Sequence, residues 1–321
     1  MKKDKIKRIA NSNKVRLLLN QRYRKSFNQV KKYFCEINDS KKEELYKCLS
    51  EHFFSRFKNG YLDSDIGKND MENHISRRLF RFRTTVIPWI NTIISLKQSK
   101  ILEIGCGTGS FTVPLAEQGC ELTSIDVDDI SVARKRCELY GLPVKLLPIN
   151  ALSVNEINDK FDMIIFSATL EHMTYDERLV SIKLAWDMLS KNGFLVVIDT
   201  PNRLYFYDDH SSILPFYHWL PDQIAMKYSK FSPRDMCKDI GCDEMKFMRF
   251  GRGASFHEFE LALNIKCSDM EVYDMRSFLK TLASVNTKEF KYSNFLRKFV
   301  LSDISNGFYH SYLDIAIKKR D

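Results

Sequence analysis

The eight cysteines of this 321-residue chain form no Cys-x-x-Cys pair, and Cys237 and Cys242 have no matching pair of histidines nearby. A zinc module and a disulfide framework are therefore not expected. Long apolar runs are also lacking. The best stretch near the N-terminus, residues 15–19, is interrupted by Arg16 and is too short for the core of a signal peptide. We expect a soluble cytoplasmic protein with reduced thiols, without a transmembrane segment.

What the chain does contain is enough apolar material for a core, with 44% hydrophobic and 12% aromatic residues. Its net charge of +9 is unevenly placed, because residues 1–98 hold 23 Lys and Arg against 10 Asp and Glu, whereas the remainder holds 27 against 31. This asymmetry indicates an anionic partner of the N-terminal region, either RNA or a membrane surface. The alternative is a solvated basic face of ordinary helices.

Apolar residues recur at helical spacing over residues 15–34, 45–57 and 71–96, the last with Pro88 as an interruption. From residue 100 strands alternate with helices, which predicts an α/β fold with a parallel sheet. The strands are predicted at 101–104, 121–125, 144–147, 161–166, 194–199, 244–250 and 312–317, and Asn192-Gly193 is predicted to cap the preceding helix. We divide the chain into a basic helical N-terminal region (1–98), an α/β domain (99–250 plus 309–321) and a mostly helical insertion (251–308).

The first strand ends in the glycine-rich turn Leu102-Glu103-Ile104-Gly105-Cys106-Gly107-Thr108-Gly109. Its spacing is Gly-x-Gly-x-Gly, and not the Gly-x-Gly-x-x-Gly of dinucleotide-binding proteins. Glu103 is a carboxylate inside an apolar strand, where it is costly to bury without a partner. The turn resembles the first motif of the class I methyltransferases that use S-adenosylmethionine. The resemblance implies a Rossmann-like seven-stranded sheet, with N-terminal helices that cover the ligand site.

Asp126 ends the second strand about twenty residues after the turn, where a carboxylate can accept the hydroxyl groups of a ribose. A helix N-cap is the alternative role, since Asp128 and Asp129 follow. In the family, the next residue lies against the adenine, a polar residue after the third strand lies near the adenine amine, and the fourth strand ends at the cofactor. The predicted cofactor-binding residues are Glu103, Gly105, Cys106, Gly107, Gly109, Asp126, Val127, Asn150, Ala151 and Ser167.

Leu170-Glu171-His172 follows the fourth strand and resembles a family signature at the methionine end of the cofactor. His172 is a candidate base for removing a proton from an acceptor hydroxyl, and a residue that merely orders the loop is the alternative. Some relatives hold a divalent metal here with a carboxylate three residues earlier. That position is Ala168 in this chain, so we predict no metal.

The segment 200–222 mixes polar and aromatic residues and resembles a loop of bacterial methyltransferases that modify small molecules, surface glycans or lipids. His210 next to Asp209 is a second candidate base, and aromatic side chains could stack on the acceptor. The alternative is a lid that packs on the core. The predicted acceptor-binding residues are Asn202, Arg203, Tyr207, His218 and Trp219.

Two motifs of nucleic-acid base methylation are missing: Asn/Asp-Pro-Pro-Tyr/Phe after the fourth strand and a Pro-Cys nucleophile. We predict O-methylation of a small-molecule, glycan or lipid-linked acceptor. One alternative is an RNA methyltransferase that uses the basic N-terminal helices. The other is a non-catalytic subunit with the methyltransferase fold.

Overall fold

The computed structural model describes residues 13–240, 243–279, 292, 295, 296, 298 and 304–320. The chain forms two compact units. Unit 1 comprises Met1–Ala151 and Phe278–Ser284, and unit 2 comprises Leu152–Ser277 and Val285–Asp321. The three-part division expected from the sequence stays a prediction. Residues 1–12 of its basic region and much of its insertion between 280 and 303 lie outside the described part.

Unit 1 begins with α1 (Asn13–Lys31) and α2 (Asp39–Cys48). The third predicted helix is a run of short α-helices, α3 (Asp65–Glu72), α4 (Arg78–Arg81) and α5 (Ile87–Ile90), joined by the π-helical segments Asn73–Arg77 and Phe82–Val86. Ser64 begins this run by accepting a hydrogen bond from the N–H of Gly67. Pro88 lies in the first turn of α5, a position that proline tolerates.

The rest of unit 1 alternates strands and helices as predicted: β1 (Lys100–Ile104), α6 (Thr112–Ala116), β2 (Glu121–Ile125), α7 (Ser131–Tyr140) and β3 (Lys145–Leu147). β2 pairs in parallel with both β1 and β3. α7 ends at Gly141, whose φ of 68° provides the left-handed turn that returns the chain to β3.

After the 3-10 segment Ala151–Ile157, unit 2 contains β4 (Phe161–Ser167), the 3-10 segment Leu170–His172, α8 (Tyr175–Met188) and β5 (Leu189–Pro201). The 3-10 segment Tyr217–Trp219 precedes the short helices α9 (Asp222–Tyr228), α10 (Asp235–Lys238) and α11 (Glu244–Arg249). Then follow α12 (Phe256–Leu263), β6 (Glu271–Asp274), α13 (Met275–Leu279) and β7 (Tyr312–Lys318).

The strands form one seven-stranded sheet in the order β3-β2-β1-β4-β5-β7-β6. β4 and β5 are parallel, whereas β7 runs antiparallel to both β5 and β6. The sheet is therefore mixed: the parallel pairing expected from the alternation of strands and helices holds for β1–β2, β2–β3 and β4–β5, whereas β7 is antiparallel to its neighbours. The Rossmann-like α/β fold is confirmed.

Two local predictions are wrong. The strand predicted over 244–250 is absent: residues 244–249 form α11, because the carboxylate of Asp243 caps a helix by accepting the N–H of Lys246. The sixth strand is β6, only four residues long, inside the segment expected to be mostly helical. Asn192-Gly193 does not cap α8. It lies in an irregular part of β5, where a Cβ on Gly193 would come within 2.9 Å of the carbonyl oxygen of Ser190.

Among the described residues, no helix has both the length and the apolar character that crossing a bilayer requires.

Candidate functional site

The glycine turn after β1 needs its glycines for different reasons. Gly105, Gly107 and Gly109 all have positive φ, at 83°, 50° and 73°. A Cβ on Gly109 would come within 3.0 Å of the Cα of Ala133 in α7, so this position keeps the turn close to the helix. A Cβ on Gly107 would meet nothing within 4 Å. The turn thus leaves open space over its central glycine.

Glu103 lies at the inner side of this turn and is completely buried. The hydroxyl groups of Thr112 and Ser124 both donate to its Oε2 at 2.7 Å, while Oε1 has no hydrogen-bond partner among the described residues. Burial raises the pKa of Glu103 to about 7, although the two hydroxyl groups act in the opposite direction. When ionised, the carboxylate places a negative charge behind the glycine turn, and burying this charge lowers the stability of the folded protein.

Asp126 follows β2 and is half-buried. Its Oδ2 accepts the N–H of Gly107 at 2.7 Å, and its Oδ1 accepts the N–H of Asp128 at 3.0 Å. Each oxygen keeps a second lone pair for a ligand hydroxyl. The carboxylate thus holds the glycine turn in place, a task that neither of the two sequence interpretations included.

The other predicted cofactor residues differ in accessibility. Val127 is 69% exposed, which leaves an apolar surface available next to Asp126. Cys106 is buried, and burial raises the pKa of its thiol, so it is packed as an inert group. Asn150 is exposed, whereas Ala151 is buried at the start of a 3-10 segment. In unit 2, the half-buried Ser167 ends β4. No finding tests the cofactor roles, which stay predictions.

Two residues that were not predicted as part of the site brace the glycine turn, one from the N-terminal helices and one from α7. His74 Nδ1 lies 3.2 Å from the hydroxyl of Thr108, and the guanidinium of Arg136 donates to the carbonyl oxygens of Thr108 and His74 at 2.7 and 2.8 Å. Burial lowers the pKa of His74 to about 3, with Arg78 and Arg136 acting in the same direction. The neutral imidazole is thus a structural part of the turn. No local motif marks either residue.

The N-terminal helices also hold the loop after β2. His52 Nδ1 lies 3.0 Å from the carboxylate of Asp129, and Arg56 donates to Asp128 at 3.2 Å. These contacts connect the segment after α2 to the loop that begins with Asp126. The segment after α2 is therefore part of the glycine-turn region, whereas the expectation that the N-terminal helices cover the ligand site stays a prediction.

In unit 2, the two histidines predicted as bases share one buried carboxylate. Glu171 Oε1 lies 3.9 Å from Nε2 of His172 and 3.9 Å from Nε2 of His210. Glu171 is fully buried, whereas the side chains of His172 and His210 are 48% and 29% exposed. Burial lowers the pKa of His210, which keeps its imidazole neutral at pH 7. We call Glu171, His172 and His210 the Glu–His–His cluster.

The loop after β5 is shaped by a buried acid that the sequence analysis did not single out. The carboxylate of Asp208 accepts the backbone N–H groups of His210, Ser211 and Ser212 at 2.6 to 3.0 Å and lies 3.3 Å from Nε2 of His218. Burial alone would raise the pKa of Asp208, but His218 and the backbone N–H groups outweigh it and hold that pKa below its ordinary value. His218 is 1% exposed, which favours an internal role.

The remaining predicted acceptor residues divide into internal and exposed groups. Asn202 is 1% exposed, and its amide donates to the carbonyl oxygens of Phe308 and His310. Arg203 donates to the carbonyl of His218 at 3.1 Å, and Tyr207 donates to that of Ile213 at 3.3 Å. Trp219 is 47% exposed and lies against the ring of the equally exposed Phe216. Of the five predicted acceptor residues, Trp219 has the large exposed apolar surface, and acceptor binding by all five stays a prediction.

A buried arginine fixes the end of this loop. The Arg252 guanidinium is fully buried and donates to the carbonyl oxygens of Tyr217, His218 and Leu220 at 2.7 to 2.9 Å, and also to Asp222. Arg252 lies thirty or more positions after these partners, so no sequence spacing could have revealed it.

Comparison with known proteins identifies methyltransferases as relatives of part of the chain. Residues 101–193 match the family model described as a methyltransferase domain. A ubiquinone biosynthesis O-methyltransferase of Stutzerimonas stutzeri is 32% identical over 120 residues, 36% of this chain and 50% of that protein. An uncharacterized methyltransferase of Staphylococcus carnosus is 30% identical over 111 residues, 35% of this chain and 52% of that protein. The chain thus spans about half the length of the curated relatives it matches.

Among solved structures, the magnesium protoporphyrin IX methyltransferase of Synechocystis with bound S-adenosylmethionine aligns with a TM-score of 0.37 and 19% identity, over 53% of this chain and 80% of that one. The TehB protein of Haemophilus influenzae aligns with a TM-score of 0.34 and 22% identity, over 40% and 43%.

Residues 101–193 form a methyltransferase domain. The glycine turn inside this segment resembles the first motif of the class I enzymes that use S-adenosylmethionine. The residues of unit 1 fit that cofactor. The space over Gly107 leaves room for a ligand, and Glu103 and Asp126 make the surroundings acidic. Acidic walls disfavour a pyrophosphate but suit a ligand with a ribose, an ammonium and a sulfonium group.

Proposed function

We propose that the protein is an O-methyltransferase that acts on a hydroxyl group of a small-molecule, glycan or lipid-linked acceptor. The Glu–His–His cluster carries this proposal. A neutral amine can attack a methyl group with its own lone pair, whereas a hydroxyl group is a weak nucleophile until its proton is removed. Two imidazole nitrogens within 3.9 Å of a buried carboxylate oxygen are suited to that removal. The O-methyltransferase names of two partial relatives agree with it.

S-adenosylmethionine supplies an already activated methyl group, so this chain has to orient the acceptor and remove a proton. As the C–O bond forms, the C–S bond breaks and its electron pair stays on sulfur. The hydroxyl proton is lost at the cluster. Direct transfer to Nε2 of His172 or His210 is one route, and a cation held by the same three side chains is the other.

A pair of exposed aromatic rings in the loop after β5 indicates the kind of acceptor. Phe216 and Trp219 are 49% and 47% exposed, and their ring centroids lie 5.1 Å apart. Exposed aromatic faces of this kind stack on planar rings or on the apolar face of a sugar. The acceptor we propose therefore carries its hydroxyl group on an aromatic ring or a sugar.

The test uses S-adenosylmethionine with a labelled methyl group and matched acceptors, each a phenol, catechol or sugar paired with the same scaffold bearing an amine. We expect labelled methyl ethers from the hydroxyl compounds. Glu171→Gln and His210→Ala should lower kcat roughly 100-fold or more with unchanged cofactor affinity. The exposed His257 serves as the control, and His257→Ala should behave as wild type. Transfer only to the amines, or full turnover by a His172→Ala and His210→Ala double variant, would contradict the proposal.

RNA remains a second candidate acceptor because α1 presents basic side chains to solvent. Its opposite face is anchored, since Tyr23 donates to the carbonyl of Thr84 and Ser26 to that of Pro88. The exposed basic residues are Arg22, Arg24, Lys25, Lys31 and Lys32. RNA binding that weakens steeply with salt, together with label transfer to RNA, would favour this function over the first.

A further inference from the structure

The Glu–His–His cluster has three possible ligand atoms, and the N–H donors of its two imidazole rings point away from them. His172 Nδ1 lies 2.9 Å from the carbonyl oxygen of Arg249, which can only accept, so Nδ1 carries the proton. His210 Nδ1 lies 3.2 Å from the hydroxyl of Ser211, and that hydroxyl already donates to the carbonyl of Gly251. Nδ1 of His210 is therefore the donor as well. With the proton on Nδ1, each ring presents the lone pair of its Nε2 atom.

The carboxylate between them is equally electron-rich. Glu171 is completely buried, and its Oε2 accepts the hydroxyl of Thr200 at 3.2 Å. Oε1 has no hydrogen-bond donor among the described residues. A buried carboxylate oxygen that faces two lone pairs is unfavourable unless a positive charge joins the group.

The two nearby guanidinium groups do not supply that charge. Arg249 donates to the carbonyl of His172 at 3.0 Å and to both carboxylate oxygens of Glu177 at 2.6 and 2.7 Å. Arg234 donates to the carbonyl oxygens of His210 and Ser211. Both arginines fix the backbone of the cluster and leave Oε1 of Glu171 for another cation.

We propose that Glu171 Oε1, His172 Nε2 and His210 Nε2 bind one divalent transition-metal ion, with zinc the best match. The three atoms lie within 4.8 Å of one another. Tetrahedral bonds of about 2.0–2.1 Å place ligand atoms roughly 3.4 Å apart, so the 3.9 Å distances must close by about half an ångström. The side chains of His172 and His210 can rotate by this amount because each is partly exposed.

The types of ligand atom decide which metal ion the site would prefer. Two imidazole nitrogens and one carboxylate suit zinc, iron or manganese, whereas magnesium prefers oxygen ligands. No metal was predicted because position 168 is alanine and lacks the carboxylate. His210, from a distant loop, supplies an imidazole in place of that carboxylate. Three protein ligands leave a coordination position open. This inference deepens the proposed function, because an acceptor hydroxyl bound there would have a lower pKa and would release its proton to water.

The test is direct metal binding, without turnover. Full-length protein is treated with EDTA, dialysed, and titrated with Zn²⁺ and Mg²⁺ by isothermal calorimetry. The absorption spectrum after adding Co²⁺ reports nitrogen and oxygen coordination. We expect one Zn²⁺ per chain, with Mg²⁺ at least about 100-fold weaker. Glu171→Gln, which keeps the side-chain volume, and His210→Ala should each weaken zinc binding by roughly 100-fold or more. His257→Ala should bind as wild type, and thermal unfolding of each variant checks its fold.

The outcomes separate this inference from the proposed function. No stoichiometric zinc binding by folded wild type, or equal binding by folded His210→Ala, would overturn the metal site. Methyl transfer to hydroxyl acceptors that survives EDTA would overturn it as well, while leaving the proposed function standing. One zinc per chain that depends on His210, with transfer only to amines, would support the site and overturn the proposed function.

Discussion

Glu103→Gln removes the charge of the buried carboxylate at nearly constant volume. The variant therefore separates the effect of this charge on protein stability from its effect on cofactor binding. The amide oxygen can still accept the hydroxyl groups of Thr112 and Ser124. Burial raises the pKa of Glu103 from its ordinary 4.5 to about 7 in the unliganded protein. This difference corresponds to about 3 kcal/mol of stability lost when the carboxylate is ionised. The substitution should therefore stabilise the protein at high pH.

The sign and the pH range follow from the two pKa values. Below pH 4.5 the carboxyl group is protonated in both the folded and the unfolded chain. Between pH 4.5 and about 7 only the unfolded chain gives up the proton, so wild-type stability falls as pH rises, and above pH 7 the loss is complete. We expect similar Tm values near pH 5 and a Tm for Glu103→Gln roughly 5 °C higher at pH 8. Calorimetric scans measure this, with the exposed Glu138→Gln as the control.

Cofactor binding should change in the opposite direction. The sulfonium and ammonium groups of S-adenosylmethionine lose an attractive charge behind the glycine turn, so Glu103→Gln should bind it roughly tenfold more weakly at pH 8. Isothermal calorimetry with wild type and Glu138→Gln gives the reference. A Glu103→Gln protein that is less stable than wild type at pH 8 would refute the burial argument. Unchanged affinity would refute the attraction of the ligand by this carboxylate.

Two further substitutions test residues that hold loops. Asp126→Ala removes the acceptor for the N–H groups of Gly107 and Asp128. The affinity for S-adenosylmethionine, measured by calorimetry, should therefore fall at least roughly tenfold, and Asp126→Asn should lose less affinity. Equal affinity of the Ala variant would contradict a role of Asp126 in holding the glycine turn for the cofactor. Arg252→Met leaves several buried carbonyl oxygens and Asp222 without their donor and should lower the unfolding free energy by about 3–5 kcal/mol. A Tm equal to that of the exposed control Arg320→Met would exclude that role.

The glycine-turn region was predictable because its signal is local. Glu103 and the three glycines lie within seven positions, and Asp126 ends the next strand. The contacts that brace the turn were not predictable from the same pattern. His74 and Arg136 reach Thr108 across 34 and 28 positions, and neither belongs to a spacing that marks a function.

The two errors in secondary structure arose where local sequence signals compete with each other. Residues 244–250 alternate in a way that is typical of a strand, but Asp243 caps a helix, and Phe247 is buried in a small cluster of apolar side chains. Asn192-Gly193 resembles a helix end, yet α8 has already ended and the glycine is needed for close packing inside β5. In the first case one capping side chain outweighed the alternation, and in the second the absence of a side chain mattered for packing and not for a cap.

The Glu–His–His cluster shows why the proximity of residues in unit 2 was harder to predict than the arrangement of the glycine turn. Both histidines were singled out from the sequence, but Glu171 and His210 are 39 positions apart, and their proximity depends on how the intervening loop turns. The turn is made by Asp208, whose buried carboxylate accepts the N–H groups of three consecutive residues beginning with His210. An acid that binds only backbone carries no motif. A search that requires a metal-binding carboxylate at position 168 would therefore reject this chain. The turn made by Asp208 nevertheless brings the imidazole of His210 to the carboxylate of Glu171.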